Sequence, residues 1–299
     1  MNKLMIIILA LSLLGNCIGL LIVYKYFNLK GYFSDSEVQL GEANAALKSL
    51  HKSVNDMTAR LDSQVSERMI FLHHSVGEGI LTAGGLRSRI LEMGVLVKSA
   101  TYGDDIGQET DMNHWAPKFE NHMSEILSFK AHPNLYNTDG TTNDYVMFKS
   151  CFPNSDIIGE GTPPGDPVAP EKTIANYKAT FYKLKDEICK YPDKLFVYLT
   201  APPLTPDLST PENAARARSF NNWLTNDFLP EYKKETGLDN FVIFDLFDCL
   251  AGEDNYLKTE YRRGIARDPH PNALGSKEAA GQFIRFFTTV RGEWRNKHQ

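Results

Sequence analysis

The sequence predicts an α/β protein, a parallel sheet with helices on both faces, carried behind an apolar N-terminal helix and a coiled-coil stalk. Three observations lead there. From Met69 onward, short runs rich in Val, Ile, Leu and Phe alternate with stretches of helical period, the pattern of a sheet buried on both faces. Ahead of them lies a heptad seam, and ahead of that a run without charge. The chain has 299 residues, 42% hydrophobic and 23% charged, which is globular composition. A net charge of −5 with scattered Lys and Arg argues against a nucleic-acid binder.

The N-terminal run, Leu4 to Tyr24, is 21 residues without a charge and is long enough to cross a hydrocarbon core as a helix. It continues into "IVYKYF" with no A-x-A-like site, so it predicts an uncleaved anchor over residues 1–27 rather than a removed signal. "LGNC" around Cys17 is a poor lipoprotein box, because Asn16 is large and the apolar run continues past it. Lys3 on one side and Lys25 and Lys30 on the other nearly balance the positive-inside rule. With so short a leader, the simplest arrangement is a signal anchor with the large C-terminal part outside the cytoplasm. In the stalk, residues 34–67, Leu40, Leu47, Val54 and Leu61 fall at heptad position a. Ala43, Leu50, Met57 and Gln64 fall at d. That seam predicts a coiled coil and hence a homo-oligomer, with dimer and trimer both open. A single amphipathic helix lying on the following domain is the alternative.

The domain over residues 68–299 is read element by element. "MIFLHH", "VLVKSATYG", "NDYVMFKSC", "KLFVYLTAPPL" and "NFVIFDLFDCL" are predicted strands. "GILTAGGLRSRILEMG", "TIANYKATFYKLKDEICKYP", "TPENAARARSFNNWLTNDFLPEY" and "SKEAAGQFIRFFTTVRGEW" are predicted helices, the third with Thr210 as N-cap and Pro211 at the first helical position. "PNSDIIGEGTPPGDPVAPEKT" is loop by its Pro and Gly content. The cysteines are Cys17, Cys151, Cys189 and Cys249, without a CxxC pair, so no zinc site is expected and one disulfide stays open. Nothing in the pattern calls for a metal or another cofactor.

Chemistry in an open α/β sheet gathers beyond the carboxyl ends of the strands. Ser75, Gly103, Asn154 and the "APPLTP" segment all follow predicted strands. In "MIFLHHSVGEGIL" an apolar run stops at His73, His74 and Ser75, which fits a nucleophile at a strand end or a polar turn. In "ARDPHPNALGS", Pro269 and Pro271 stiffen the backbone around His270. His270 is therefore the candidate base for Ser75, and Asp268 the candidate to orient its second nitrogen. His73 and His74, adjacent on a strand end, point to opposite sides and do not suit one metal ion. Glu78 reads as a first-turn helix carboxylate, and Asp104 and Asp105 as solvated loop acids.

Taken in order, these segments resemble the SGNH (GDSL-like) hydrolases, over Met69 to the C-terminus. The resemblance rests on "FLHHSVGEG", "SATYGDDIG", "YVMFKSCFPNSDI" and "DPHPNALGSKEAA". It implies a three-layer α/β/α, flavodoxin-like fold and a triad of Ser75, His270 and Asp268. It also implies an oxyanion hole from the Ser75 amide, Gly103 (with Gly107 as alternative) and the Asn154 side chain. Three departures stand out. "HHS" replaces the family's Gly-Asp-Ser, "CFPN" replaces a Gly-x-Asn, and Asp-x-His is one residue shorter than the usual Asp-x-x-His. The short spacing leaves two arrangements open, a full triad or a Ser–His dyad oriented by another group. The implied function is a membrane-anchored serine esterase acting on acyl or acetyl esters, with an acylated envelope or extracellular polysaccharide as substrate. An O-acyltransferase using the same triad, and a non-catalytic module that binds glycan or a partner, are the alternatives.

Overall fold

A computed structural model describes residues 65–298, together with Ser49. The predicted anchor and, apart from Ser49 and residues 65–67, the predicted stalk lie outside the described residues. Among the described residues no helix is long and apolar enough to cross a membrane.

Seven strands lie in the described residues. β1 (Glu67–Leu72), β2 (Val95–Ala100), β5 (Tyr145–Lys149), β6 (Leu195–Leu199) and β7 (Phe241–Phe244) form one sheet, and β3 (Phe129–Ala131) and β4 (Leu135–Tyr136) a small hairpin. The sheet order is β2-β1-β5-β6-β7, every pair parallel. Without the hairpin this is the 2-1-3-4-5 order of flavodoxin-like folds, whose switch point lies between the first and third strands. Here those are β1 and β5.

Strand residues alternate between two cores. Ile70, Leu72, Val146, Phe148, Phe196 and Tyr198 face one. Met69, Phe71, Tyr145, Met147, Val197 and Leu199 face the other. Both sets are fully or almost fully buried, which is why the strands read as continuous apolar runs rather than alternating ones. The first core is closed by α3 (Met112–Ser128), α4 (Ile174–Ile188), α5 (Pro211–Trp223) and α6 (Leu229–Thr236). The second is closed by α1 (Ser75–Leu81), α2 (Leu86–Glu92), α7 (Leu246–Leu250) and α8 (Ala273–His298).

Several elements differ from the sequence expectation, each for a visible reason. The first helix begins at Ser75 rather than Gly79 and breaks into α1 and α2. A Cβ at Gly84 would lie 2.4 Å from the Ile80 carbonyl and 2.5 Å from that of Ser276, and Gly85 takes φ +71, so the chain turns where it crosses α8. Helix α3, which carries Pro117 inside it, has no counterpart among the predicted helices. Yet Trp115, Phe119, Met123 and Ile126 form one buried stripe, and Asp111 and His114 close a capping box at its start. Thr210 does cap α5, accepting from the Asn213 amide at 3.2 Å, with Pro211 first in the helix. A π-helical turn, Leu224–Phe228, then absorbs the hydrogen bond that Pro230 cannot donate. The fifth strand stops at Asp245, which caps α7 by accepting from Asp248. Cys151, Cys189 and Cys249 are all free thiols, so the disulfide left open by the sequence is not formed among them.

Candidate active site

Ser75 is the first residue of α1, directly past the end of β1. A first-turn residue has no intrahelical acceptor for its N–H, so both its amide and its side chain are offered at the top of the sheet. The two histidines before it build the platform. His73 is fully buried, with Nδ1 at 2.9 Å from the His74 carbonyl and Nε2 at 2.5 Å from Ser99 Oγ. Gly77 lies directly over its ring, where a Cβ would come within 2.5 Å of His73 Cβ. Burial lowers the His73 pKa to about 3, so this ring is neutral. His74 points the other way, with Nε2 to the Gly107 carbonyl at 2.9 Å and Nδ1 to Thr110 Oγ1 at 3.1 Å. Both rings thus have structural partners on opposite sides, and among the described residues no His, Cys, Asp or Glu cluster fits a metal.

The loop before α8 delivers the other two groups. Ser75 Oγ lies 2.8 Å from His270 Nε2, and His270 Nδ1 lies 2.6 Å from Asp268 Oδ1. The same Asp268 oxygen accepts the His270 backbone N–H at 3.0 Å. That is how the short Asp-x-His spacing closes: the carboxylate folds back over the amide two residues on, as in an Asx turn, and takes both donors of one residue. A proton on Nδ1 satisfies the whole chain, with Ser75 O–H donating to Nε2 and Nδ1–H donating to the carboxylate. Burial alone would raise the Asp268 carboxyl, but the His270 amide and ring and the nearby Arg263 hold it below its ordinary value. Phe152 packs edge-on to the imidazole at 5.0 Å. Asn272 fixes the loop, with its amide on the Glu260 and Arg262 carbonyls and its oxygen capping Leu274 and Gly275.

The three predicted oxyanion groups are placed unequally. Gly103, at φ +92 in an exposed turn after β2, has no protein acceptor for its N–H among the described residues. The alternative, Gly107, has its N–H committed to the Asp104 carbonyl at 2.9 Å, and a Cβ there would lie 2.2 Å from the Thr101 carbonyl. Asn154 is buried, its amide donating to Asp111 Oδ1 at 2.7 Å and to the Cys151 carbonyl at 3.2 Å. Its Oδ1 accepts from the Met112 amide at 2.9 Å. So Asn154 ties the start of α3 to the end of β5, and only the longer of its two donations is readily exchanged for a substrate oxygen.

Asp104 corrects a sequence expectation. It is fully buried rather than solvated, because the Thr101 and Asn134 amides and His132 Nδ1, each at 3.1 Å, converge on its carboxylate and replace water. Asp105 beside it is exposed, as expected. Lys118, buried from α3, donates to the Ile106 carbonyl at 2.7 Å and to that of Gln108, which holds the same turn, and burial lowers its amine to about 8.

Two neighbours of Ser75 were not singled out from the sequence. Tyr102 stacks on His74 with ring centroids 3.8 Å apart; burial raises its phenol, and the neighbouring Ser75 opposes that rise. Cys151 Sγ lies 3.7 Å from Ser75 Oγ. The available signals were adjacency alone: Tyr102 precedes the glycine of its motif, and Cys151 opens "CFPN".

No protein-family model and no curated protein matches the chain. Solved structures do. One is a protein of Desulfitobacterium hafniense DCB-2 described as lipolytic and of the G-D-S-L family, with 12% identity and a TM-score of 0.39, covering 74% of this chain and 99% of its own. A second, from Streptococcus pneumonia and described as a platelet activating factor, has 16% identity and a TM-score of 0.41, covering 83% and 97%. A third is a carbohydrate esterase family 2 enzyme with a carbohydrate-binding domain from Corynascus thermopiles (Myceliophthora fergusii). It has 14% identity and a TM-score of 0.42, covering 76% and 67%. At such identities and scores, the chemistry of the site rests on its own geometry.

Proposed function

We propose that this protein is a serine esterase of the SGNH type, in which Ser75 forms an acyl-enzyme. The observation that carries the reading is the unbroken hydrogen-bonded chain from Ser75 Oγ through His270 to Asp268. Ser75 attacks the ester carbonyl as His270 Nε2 takes its proton, and Asp268 holds the ring and stabilises the imidazolium. The developing oxyanion accepts from the Ser75 amide, with Gly103 and Asn154 as the further donors in this reading; one such donor is worth about 10²–10³ in rate. The imidazolium then protonates the leaving alcohol, and water activated by His270 releases the acid. A non-catalytic module would have no reason to hold Ser75 and His270 at hydrogen-bond distance, which counts against that alternative.

In the same reading the chain is anchored by its N-terminal span, oligomerises through the stalk and works outside the cytoplasm. It removes acyl or acetyl groups from an envelope or extracellular polysaccharide. The uncharged run Leu4 to Tyr24 and the heptad seam support the placement. The test is a fluorophosphonate probe on the full chain, beside Ser75→Ala and His270→Ala. Labelling that requires Ser75 and falls with His270→Ala is expected, and a folded wild-type chain that does not label would sink the reading. Release of free acid from an acylated glycan, with none passed to an acceptor sugar, separates hydrolysis from acyl transfer.

A further inference from the structure

Beside Ser75 lies a nucleophilic group that ester hydrolysis does not use. Cys151 Sγ is 3.7 Å from the serine oxygen. Behind it is Lys149, the last residue of β5, fully buried and with no hydrogen-bond partner on Nζ. Cys151 is still extended, at φ −85 and ψ 171. Residues two apart on an extended chain face the same side, so Lys149 and Cys151 share one face. Ser150 between them faces the other and accepts the Trp115 indole N–H at 2.8 Å. The neighbours of Lys149 across the sheet offer no counter-charge: His73 is neutral and Leu199 is apolar. The charge that Cys151 takes on losing its proton is the natural partner of that amine.

The thiol's surroundings agree. Burial would raise its pKa, but the Lys149 charge, the Ser75 hydroxyl and the Val76 and Phe152 amides together bring it below its ordinary value. Burial in turn pushes the Lys149 amine down, and Cys151 is the group that opposes this. Cys249 is the contrast within the same chain: burial and the Glu278 charge outweigh Lys258 there, and its thiol is pushed up to about 12.

We propose that Cys151 is a modification site, a thiol set beside Ser75 by the buried amine of Lys149, whose oxidation by a peroxide closes the ester site. The inference rests on the esterase reading for its consequence but not for the thiol chemistry. The thiolate attacks one oxygen of hydrogen peroxide, an S–O bond forms as the O–O bond breaks, and the second oxygen leaves as hydroxide. Sulfur is oxidised by two electrons, peroxide is reduced by two, and the product is a sulfenic acid. The added oxygen projects from Sγ alongside Ser75 Oγ. There it fills space that an acyl carbonyl needs, and as an acceptor it competes with His270 Nε2 for the Ser75 O–H. Ser75 is only half-buried, so the cleft that admits a substrate also admits a small peroxide. A thiol reductant restores the cysteine and reopens the site.

The experiment treats the full chain with hydrogen peroxide and a sulfenic-acid trap, follows each cysteine peptide by mass spectrometry, and labels Ser75 with a fluorophosphonate before and after. Cys151 is expected to react at least about tenfold faster than Cys249, and Lys149→Met to remove most of that advantage. Ser75 labelling is expected to fall with Cys151 oxidation, to return with dithiothreitol, and to resist peroxide in Cys151→Ser. Equal reaction of Cys151 and Cys249, or no effect of Lys149→Met in a folded protein, would overturn the site. Selective oxidation that leaves Ser75 labelling intact would overturn the closure. Untreated protein that does not label at Ser75 would instead overturn the esterase reading, and closure with it, while the peptide rates still judge the thiol.

Discussion

At the amino end of the sheet, Glu67 accepts from Tyr145 Oη at 2.6 Å and from Arg291 Nε at 2.8 Å, with Arg291 Nη2 at 2.6 Å from the same oxygen. At the carboxyl end, Asp268 accepts twice from His270, and His270 reaches Ser75. Both ends hold a carboxylate, a hydroxyl and a group that carries positive charge. In the first cluster the charges meet directly and the hydroxyl donates to the carboxylate, so nothing is left to react. In the second the hydroxyl faces a ring nitrogen that can take its proton, and the carboxylate lies one residue removed, where it steadies the charge that forms. The cation of this end, Lys149, is left without a hydrogen bond. One arrangement saturates its groups and locks α8 to β1 and β5; the other leaves them poised.

That contrast makes predictions of opposite kinds at the two ends. Ser75→Ala should lower ester turnover by roughly 10⁶-fold with little change in melting temperature, measured by turnover and calorimetry together. Asp268→Asn keeps the shape but favours the wrong tautomer, and should cost roughly 10⁴-fold. Because the wild-type carboxyl is held below its ordinary value, Asp268 should go on orienting the ring until the pH falls below the usual carboxylate range. At the amino end, Glu67→Gln leaves the half-buried Arg291 without its charge partner and should cost about 3 kcal/mol, with Ser75 labelling retained while the protein is folded. For a domain of this size that is a drop of roughly 6–12 °C.

His73 supplies a pH test on the platform beneath the site. The unfolded chain takes up a proton near 6.5, the ordinary value for histidine, whereas the folded ring refuses it until about 3. The unfolded state therefore binds more protons in that window, and stability falls as pH drops from 6.5 toward 3. The contribution of this group is about 1.4 kcal/mol per pH unit. Denaturant midpoints across the window should be flatter in His73→Asn. The smallest effect has the opposite sign: Lys149→Met removes an unpartnered buried amine and should stabilise the fold by about 1–3 kcal/mol in denaturant titration, where the same logic at Glu67 destabilises.

Much of the frame was legible because it depends on local pattern. Doubly buried strands must be apolar throughout, so all five sheet strands were visible, as were Thr210 as a cap and the order of Ser75 and His270 along the chain. Helix α3 was missed because Pro117 and a polar surface mask a stripe that only the sheet makes useful. The reach of Asp268 was left open because spacing alone does not show a side chain folding back on its own backbone.

What sequence alone settled is which segments bury themselves and which residue types stand at the strand ends, since periodicity and composition are properties of neighbours along the chain. The 2.8 Å contact between Ser75 and His270, the commitment of Asn154 to Asp111, and the meeting of Cys151 with Ser75 were decided by the tertiary structure. These groups come from segments far apart in sequence, and hydrogen-bond geometry tolerates only tenths of an ångström. Parallel pairing of β1 with β5 and the crossing of α8 over α1 set that distance, and no local signal carries it.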